Sequence, residues 1–253
     1  MPDSAVIPTP RRNDQIVSRE AWLKARKELL AQEKALTRQR DKVTAARLAL
    51  PRVRIDKDYA FETPNGRQTL ADLFAGRSQL LVYHFMFGPD WDAGCPGCSF
   101  LCDNFDGTLA HLNHHDVTLV AVSRAPLAKI EAYKRRMGWH FPWVSSFGSD
   151  FNHDYHVSFT KDELAQGSVL YNFTETPVKD AHDELPGLSS FQKDADGSIY
   201  HTYSAYGRGG EEQLTTLMLL DMAPLGRNEQ SVMDFVKRHD EYESEKSAKS
   251  CCA

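Results

Sequence analysis

The sequence predicts an α/β chain with a parallel-cored sheet covered on both faces, preceded by one long helix. Three observations carry that reading. Residues 80–87 and 117–122 are apolar almost without interruption, as strands buried on both faces are. Strand and helix patterns alternate around and beyond them, which is how parallel strands are connected. Residues 18–50 contain no glycine or proline, and Pro51 follows directly, so a single helix fits that length.

Residues 1–15 hold three prolines and few large apolar groups and read as a loose tail. Ser18 is the expected N-cap of the long helix. Trp22, Leu29, Leu36, Val43 and Leu50 recur every seven residues, with Ala25, Gln32, Gln39 and Ala46 at the companion positions. That is half a coiled-coil seam, so the helix is expected to lie across its own body, with Trp22 and Leu36 in apolar contact. Homodimerisation is a further possibility for the same stripe. A hairpin follows around Pro64-Asn65-Gly66, then a short helix over residues 69–74 closed by Gly76. The two buried strands are followed by an amphipathic helix over 126–137, with Leu127, Ile130 and Tyr133 on one side and Gly138 as its stop. Residues 141–144 begin a short strand. Residues 189–193 and 198–204 flank the turn Asp194-Ala195-Asp196-Gly197 and form an antiparallel hairpin. A last helix is expected near 229–242. Residues 170–185 fit no pattern and read as an excursion near the functional site. The organisation is therefore a tail and long helix over 1–54, a folded domain over 55–245 and a flexible tail over 246–253.

The 253 residues are 41% hydrophobic with a net charge of −5, which describes a globular chain with a real core. No run of 18 apolar residues occurs and no secretory leader is apparent, so no membrane partner is expected. Five cysteines, three of them clustered, do not form a secreted disulfide framework, and a cytoplasmic location is expected. Residues 1–54 hold thirteen Lys/Arg against six Asp/Glu. The acidic residues interleave with the basic ones as on a solvated helix face, and nucleic-acid binding is not expected.

The chemistry points to Cys95-Pro96-Gly97-Cys98, which follows the first buried strand and heads a helix. Pro96 suits a first helical turn. A thiol attacks as thiolate, and the N–H groups and dipole of a helix N-terminus favour that form. Cys95, just outside the helix, is thus the expected nucleophile, and Cys98, one turn inside, the resolving thiol. Asp90, Asp92, Asp103 and Asp106 surround the motif and act in the opposite sense, since nearby carboxylates raise a thiol's pKa. This dithiol chemistry calls for no cofactor and no metal. Its expected partners are a disulfide- or peroxide-bearing substrate and a thiol reductant.

These residues resemble the thioredoxin superfamily, with the element order of its peroxiredoxin-like branch. More narrowly, Phe87-Gly88-Pro89-Asp90-Trp91, Cys95-Pro96-Gly97-Cys98-Ser99-Phe100, Met137-Gly138-Trp139 and Pro224-Leu225-Gly226-Arg227-Asn228-Glu229 resemble a thioredoxin-like family catalogued as a domain of unknown function. The resemblance covers residues 18–237. It implies a three-layer thioredoxin-like fold with a mixed central sheet, and a dithiol site. It also implies a cis-proline beside the sulfurs, at Pro186, five residues before Phe191 and the hairpin turn, with Pro142 as the rival position. Such a bond would offer backbone for strand-like pairing with substrate. The chain departs from thioredoxin itself in having Gly94 before the first cysteine and Pro-Gly between the pair, and the intervening dipeptide tunes redox poise.

Cys102 supports a rival. Pro96-Gly97-Cys98 with Cys102 one turn later resembles one-domain peroxiredoxins, in which Cys98 would attack peroxide and Cys102 resolve the sulfenic acid. That site also needs a hydroxyl residue where Cys95 stands. A second rival joins Cys95, Cys98 and Cys102 to His111, His114 or His115 around a metal, although only the first pair has metal-ligand spacing. A third is a non-catalytic redox sensor. His84 reads as a core group, Tyr155 and His156 could face the dithiol by fold analogy, and Cys251-Cys252 reads as part of a free tail.

Overall fold

Ser18 caps helix α1 (Arg19–Leu48) by accepting a hydrogen bond from the Ala21 N–H at 3.2 Å. The computed structural model describes residues 15–180 and 182–242; all but Gln15 of the tail expected over 1–15 lies outside them, as does the tail expected over 246–253 with Cys251 and Cys252. Strand β1 (Val53–Arg54) precedes a hairpin of β2 (Ala60–Thr63) and β3 (Gly66–Thr69). Its turn uses Gly66 at φ 99°, a conformation that favours glycine. Thr69 and Asp72 form a reciprocal capping box that starts α2 (Leu70–Leu73). Then come β4 (Gln79–His84), α3 (Pro96–Cys102), α4 (Leu109–His114), β5 (Val117–Ser123), α5 (Leu127–Arg136) and β6 (Trp143–Ser145). Two short helices, α6 (Phe151–Asp154) and α7 (Lys161–Ala165), lead to a separate hairpin of β7 (Ser168–Tyr171) and β8 (Thr174–Pro177). The chain re-enters the sheet through β9 (Gly187–Lys193) and β10 (Ile199–Tyr206) and ends its regular helices with α8 (Thr215–Met222).

Eight strands form one sheet in the order β1-β10-β9-β4-β5-β6-β2-β3. The contacts β4–β5 and β5–β6 are parallel, whereas β9 pairs antiparallel with both β4 and β10. The sheet is therefore mixed, and its middle is buried on both faces. Leu80, Val82, Val120 and Val122 point into one apolar cluster with α2 and α6. Leu81, Tyr83, Leu119 and Ala121 point into the other with α3, α5 and α8. The alternation follows the strand period of two, and the result is a three-layer α/β fold around a mixed central sheet.

Three expectations need correction. Helix α1 does not lie across the body. None of its residues is buried, and Trp22 and Leu36 are 45% and 54% exposed. A stripe of one large apolar side chain every two turns is narrower than the face a packed helix presents. Its ties to the body lie toward its C-terminal end, with Arg47 over the Tyr203 ring at 4.7 Å and Arg40 3.9 Å from Glu212. Such surface contacts contribute about 0–1 kcal/mol each, and a domain of this size loses about 2–4 °C of Tm per kcal/mol. Deleting residues 1–48 is thus expected to lower Tm by a few degrees at most in scanning fluorimetry. A loss above about 10 °C would show that α1 is integral to the core.

The second correction concerns residues 229–242, which form turns and a short 3₁₀ segment (His239–Glu241) rather than a helix. The Asp234 carboxylate takes the N–H groups of Gln230 and Ser231, and Met233 adopts φ 61°, which interrupts any helical ladder. Third, residues 168–177 are an ordered hairpin. Its turn residues Asn172 and Phe173 have φ 51° and 63°, and Phe173 packs edge-on against Tyr206 at 5.4 Å.

Candidate active site

The parallel strand β4 delivers the chain into a loop that is tied down residue by residue. Ser123 Oγ donates to the Phe85 carbonyl (2.7 Å), and the Ala125 N–H to the Phe87 carbonyl (2.8 Å). Lys129 Nζ donates to the carbonyls of Pro89 (2.8 Å) and Trp91 (3.1 Å). At Gly94 a Cβ would sit 2.6 Å from the Phe85 ring, so only glycine lets the loop pass that close. The Cys95 N–H then reaches the Met86 carbonyl at 3.0 Å, and α3 starts with Pro96 at its first position.

Cys95 is partly exposed as the N-cap residue of α3, and Cys98 is buried one turn inside. The Cys98 thiol hydrogen-bonds Cys95, and this is the largest of the influences that lower the Cys95 pKa to about 7. Desolvation opposes it, while the N–H groups of Cys98 and Gly97 and the Arg238 guanidinium assist. The carboxylates do not decide the matter at Cys95. Burial pushes the Cys98 thiol well up, and its hydrogen bond and charge coupling to Cys95 add to that. Two donors oppose the rise, the Tyr83 hydroxyl and the Met86 N–H, the latter 3.5 Å from Sγ. Cys102 is fully buried in α3, and desolvation followed by Asp103, Cys95 and Asp106 raises its pKa too.

A network behind Cys95 reaches across the chain. The Cys95 carbonyl accepts from Ser99 Oγ at 2.8 Å, and Ser99 Oγ lies 2.8 Å from the Tyr133 hydroxyl. Arg238, 144 residues after Gly94, donates through Nε (3.0 Å) and Nη2 (2.6 Å) to the Gly94 carbonyl. Its Nε also donates to Tyr133 Oη (2.9 Å), and its Nη1 to Glu241 (2.8 Å). The surrounding segment is fastened by Arg136 to Asp240 and Glu241, and by His239 to Asp103. Phe235 packs edge-on against Phe100.

In front of the cysteines lies a cavity of about 130 Å³ lined by Cys95, Cys98, Met86, Pro186, Leu188, Ala205, Leu214 and Met233, among others. Pro186 lines this cavity with the two cysteines, and its peptide bond is trans where the resemblance implied a cis bond. The segment before β9 is already held by other partners. The Leu185 N–H donates to the Val157 carbonyl at 2.8 Å, and Tyr171 Oη donates to the Pro186 carbonyl at 2.7 Å. Glu184 takes Arg124 Nε and Ser158 Oγ, each at 2.6 Å.

His84 and Tyr155 do not join the site. Both belong to the opposite side of the sheet, where His84 Nε2 is 2.8 Å from Ser189 Oγ and burial lowers its pKa to about 3. His111 and His114 sit in α4 and His115 caps it. Among the described residues, no group of three or more Cys, His or acidic side chains is gathered as a metal ion would require. Nor, among them, is any helix long and apolar enough to cross a membrane. Sequence reasoning missed Arg238, Tyr133 and Met233 as parts of the site. Arg238 and Met233 lie in a stretch that read as an ordinary helix, and Tyr133 read only as a core-facing position.

No curated protein matches the chain. Among solved structures it is similar to peroxidoxin BcpB from Mycobacterium tuberculosis, at 12% identity over 67% of this chain and 97% of that one, with a TM-score of 0.44. A peroxiredoxin Q structure from Xanthomonas campestris matches at 12% identity over 67% and 92% of the two chains, with a TM-score of 0.40. A putative protein disulfide isomerase from Bacteroides thetaiotaomicron matches at 18% identity over 68% and 92%, with a TM-score of 0.37. The family described as "Bacterial protein of unknown function (DUF899)" matches residues 11–242, and the chain, with its dithiol at the head of α3, belongs to that family.

Proposed function

We propose that the protein is a thiol–disulfide oxidoreductase in which Cys95 attacks and Cys98 resolves. The observation that carries this reading is the contrast within one turn of α3. Cys95 is partly exposed with a pKa near 7, while Cys98 is buried beside it with a raised pKa. An attacking thiol works best with a pKa near ambient pH, and a buried neighbour meets only a sulfur already bonded to Cys95. The cycle returns through a thiol reductant.

The peroxidase assignment would make Cys98 the attacking group, yet Cys98 is buried and its raised pKa keeps it protonated. Mild oxidation with diamide followed by mass mapping tests the choice. A Cys95–Cys98 bridge is the expected product, and a Cys98–Cys102 bridge would transfer the site to the peroxidase reading. Turnover that disappears with Cys95→Ser separates an enzyme from a sensor.

A further inference from the structure

We propose that this dithiol acts on small disulfides with apolar substituents and not on extended protein chains, an inference that rests on the oxidoreductase reading above. Two features close the site to a polypeptide. The backbone that could pair with a substrate strand is engaged, because the Pro186 carbonyl accepts from Tyr171 and the Leu185 N–H donates to Val157. A strand gains affinity mainly through free main-chain groups at such a position. The second feature is the segment after α8, tied to the Gly94 carbonyl by Arg238. It brings Met233 Cε to 3.5 Å from where a Gly97 Cβ would be, and so roofs the N-terminal turn of α3.

What is left open is the cavity of about 130 Å³. An apolar cavity of about 150 Å³ accepts one benzene-sized group, so this one takes a single short apolar substituent. Its walls are mainly apolar, and Pro186, Leu188, Leu214 and Met233 offer nothing to a charged substituent. The fit is to one half of a dialkyl disulfide. Cys95 thiolate attacks one sulfur of R–S–S–R, forming Cys95–S–S–R and releasing RS⁻, which takes up a proton. Cys98 loses its proton and attacks Cys95 Sγ, which closes the Cys95–Cys98 disulfide and releases the second thiolate. The protein is oxidised by two electrons and the substrate reduced by two; a dithiol such as dithiothreitol restores it.

The test compares reduction of diethyl disulfide, oxidised glutathione and insulin by the full chain, with dithiothreitol as reductant and the uncatalysed rate subtracted. The expected order in kcat/KM is diethyl disulfide, then oxidised glutathione, then insulin, with at least about 100-fold between first and last. Met233→Ala, which removes part of the roof, is expected to narrow that ratio. Insulin reduced as fast as diethyl disulfide would overturn the proposal, as would a ratio that Met233→Ala leaves unmoved. If diamide still closes Cys95–Cys98 but no small disulfide is reduced, the substrate class is wrong and the dithiol reading survives. If no Cys95–Cys98 bridge forms, both fall.

Discussion

Replacing Cys95 with serine is expected to abolish disulfide exchange, whereas replacing Cys98 with serine should leave the first attack intact and stall the second. With its pKa near 7, Cys95 is about half thiolate at pH 7, while a thiol whose pKa exceeds 9 is less than about 1% ionised. Ionisation alone thus separates the two cysteines by more than about fiftyfold, and the burial of Cys98 widens the gap. Loss of Cys95 is expected to cut turnover at least about 100-fold. Cys98→Ser removes the thiol that hydrogen-bonds Cys95, but serine can donate in its place, so the thiolate keeps a partner. Incubated with excess dialkyl disulfide, that variant should accumulate one covalent adduct on Cys95, visible by intact mass and peptide mapping. An adduct on Cys98 of the Cys95→Ser variant, forming at the wild-type rate, would reverse the roles.

Arg238→Met is expected to raise the Cys95 pKa by up to about half a unit, because the cation is a smaller influence than the Cys98 thiol and the N–H groups of Cys98 and Gly97. The sign follows from the thiolate being the charged form. Arg238 favours it, so removing the cation returns the group toward its ordinary value. At pH 7 the thiolate fraction would fall from about one half to about one quarter, roughly a twofold loss of alkylation rate, while above about pH 9.5 the two proteins should converge. The pH profile of iodoacetamide modification at Cys95 reads this directly. Arg238→Lys keeps the charge but not the paired donors on the Gly94 carbonyl, so its midpoint should lie between. A methionine variant whose profile superimposes on the wild type would show that Arg238 only fastens the chain.

Much of the fold is legible locally because its signals are local. The cap at Ser18, the capping box at Thr69 and Asp72, the runs that became β4 and β5, and the turn before β10 all declare themselves within a few residues. The β7–β8 hairpin does not, because its turn is Asn172-Phe173, without the glycine that usually marks two consecutive positive φ values. Phe173 is held there by Tyr206, a partner 33 positions away. Helix α1 shows the converse limit. Its pattern announces a helix, but its seven-residue stripe does not say whether anything covers it. At the site, the order of Cys95, Cys98 and Cys102 along one helix is plain from spacing. The Arg238 fork on the Gly94 carbonyl is a backbone contact across most of the domain, and no local pattern encodes it.

That fork also bears on how the protein is made. Arg238 follows Cys95 by 143 positions, and synthesis at about 5–20 residues per second places roughly 7–30 s between them. Through that interval the nascent chain already carries all three α3 thiols but not the guanidinium that favours the Cys95 thiolate. The Arg238 share of the thiolate's stabilisation, smaller than that of the Cys98 thiol and the N–H groups of α3, is thus the part that only the late segment can add.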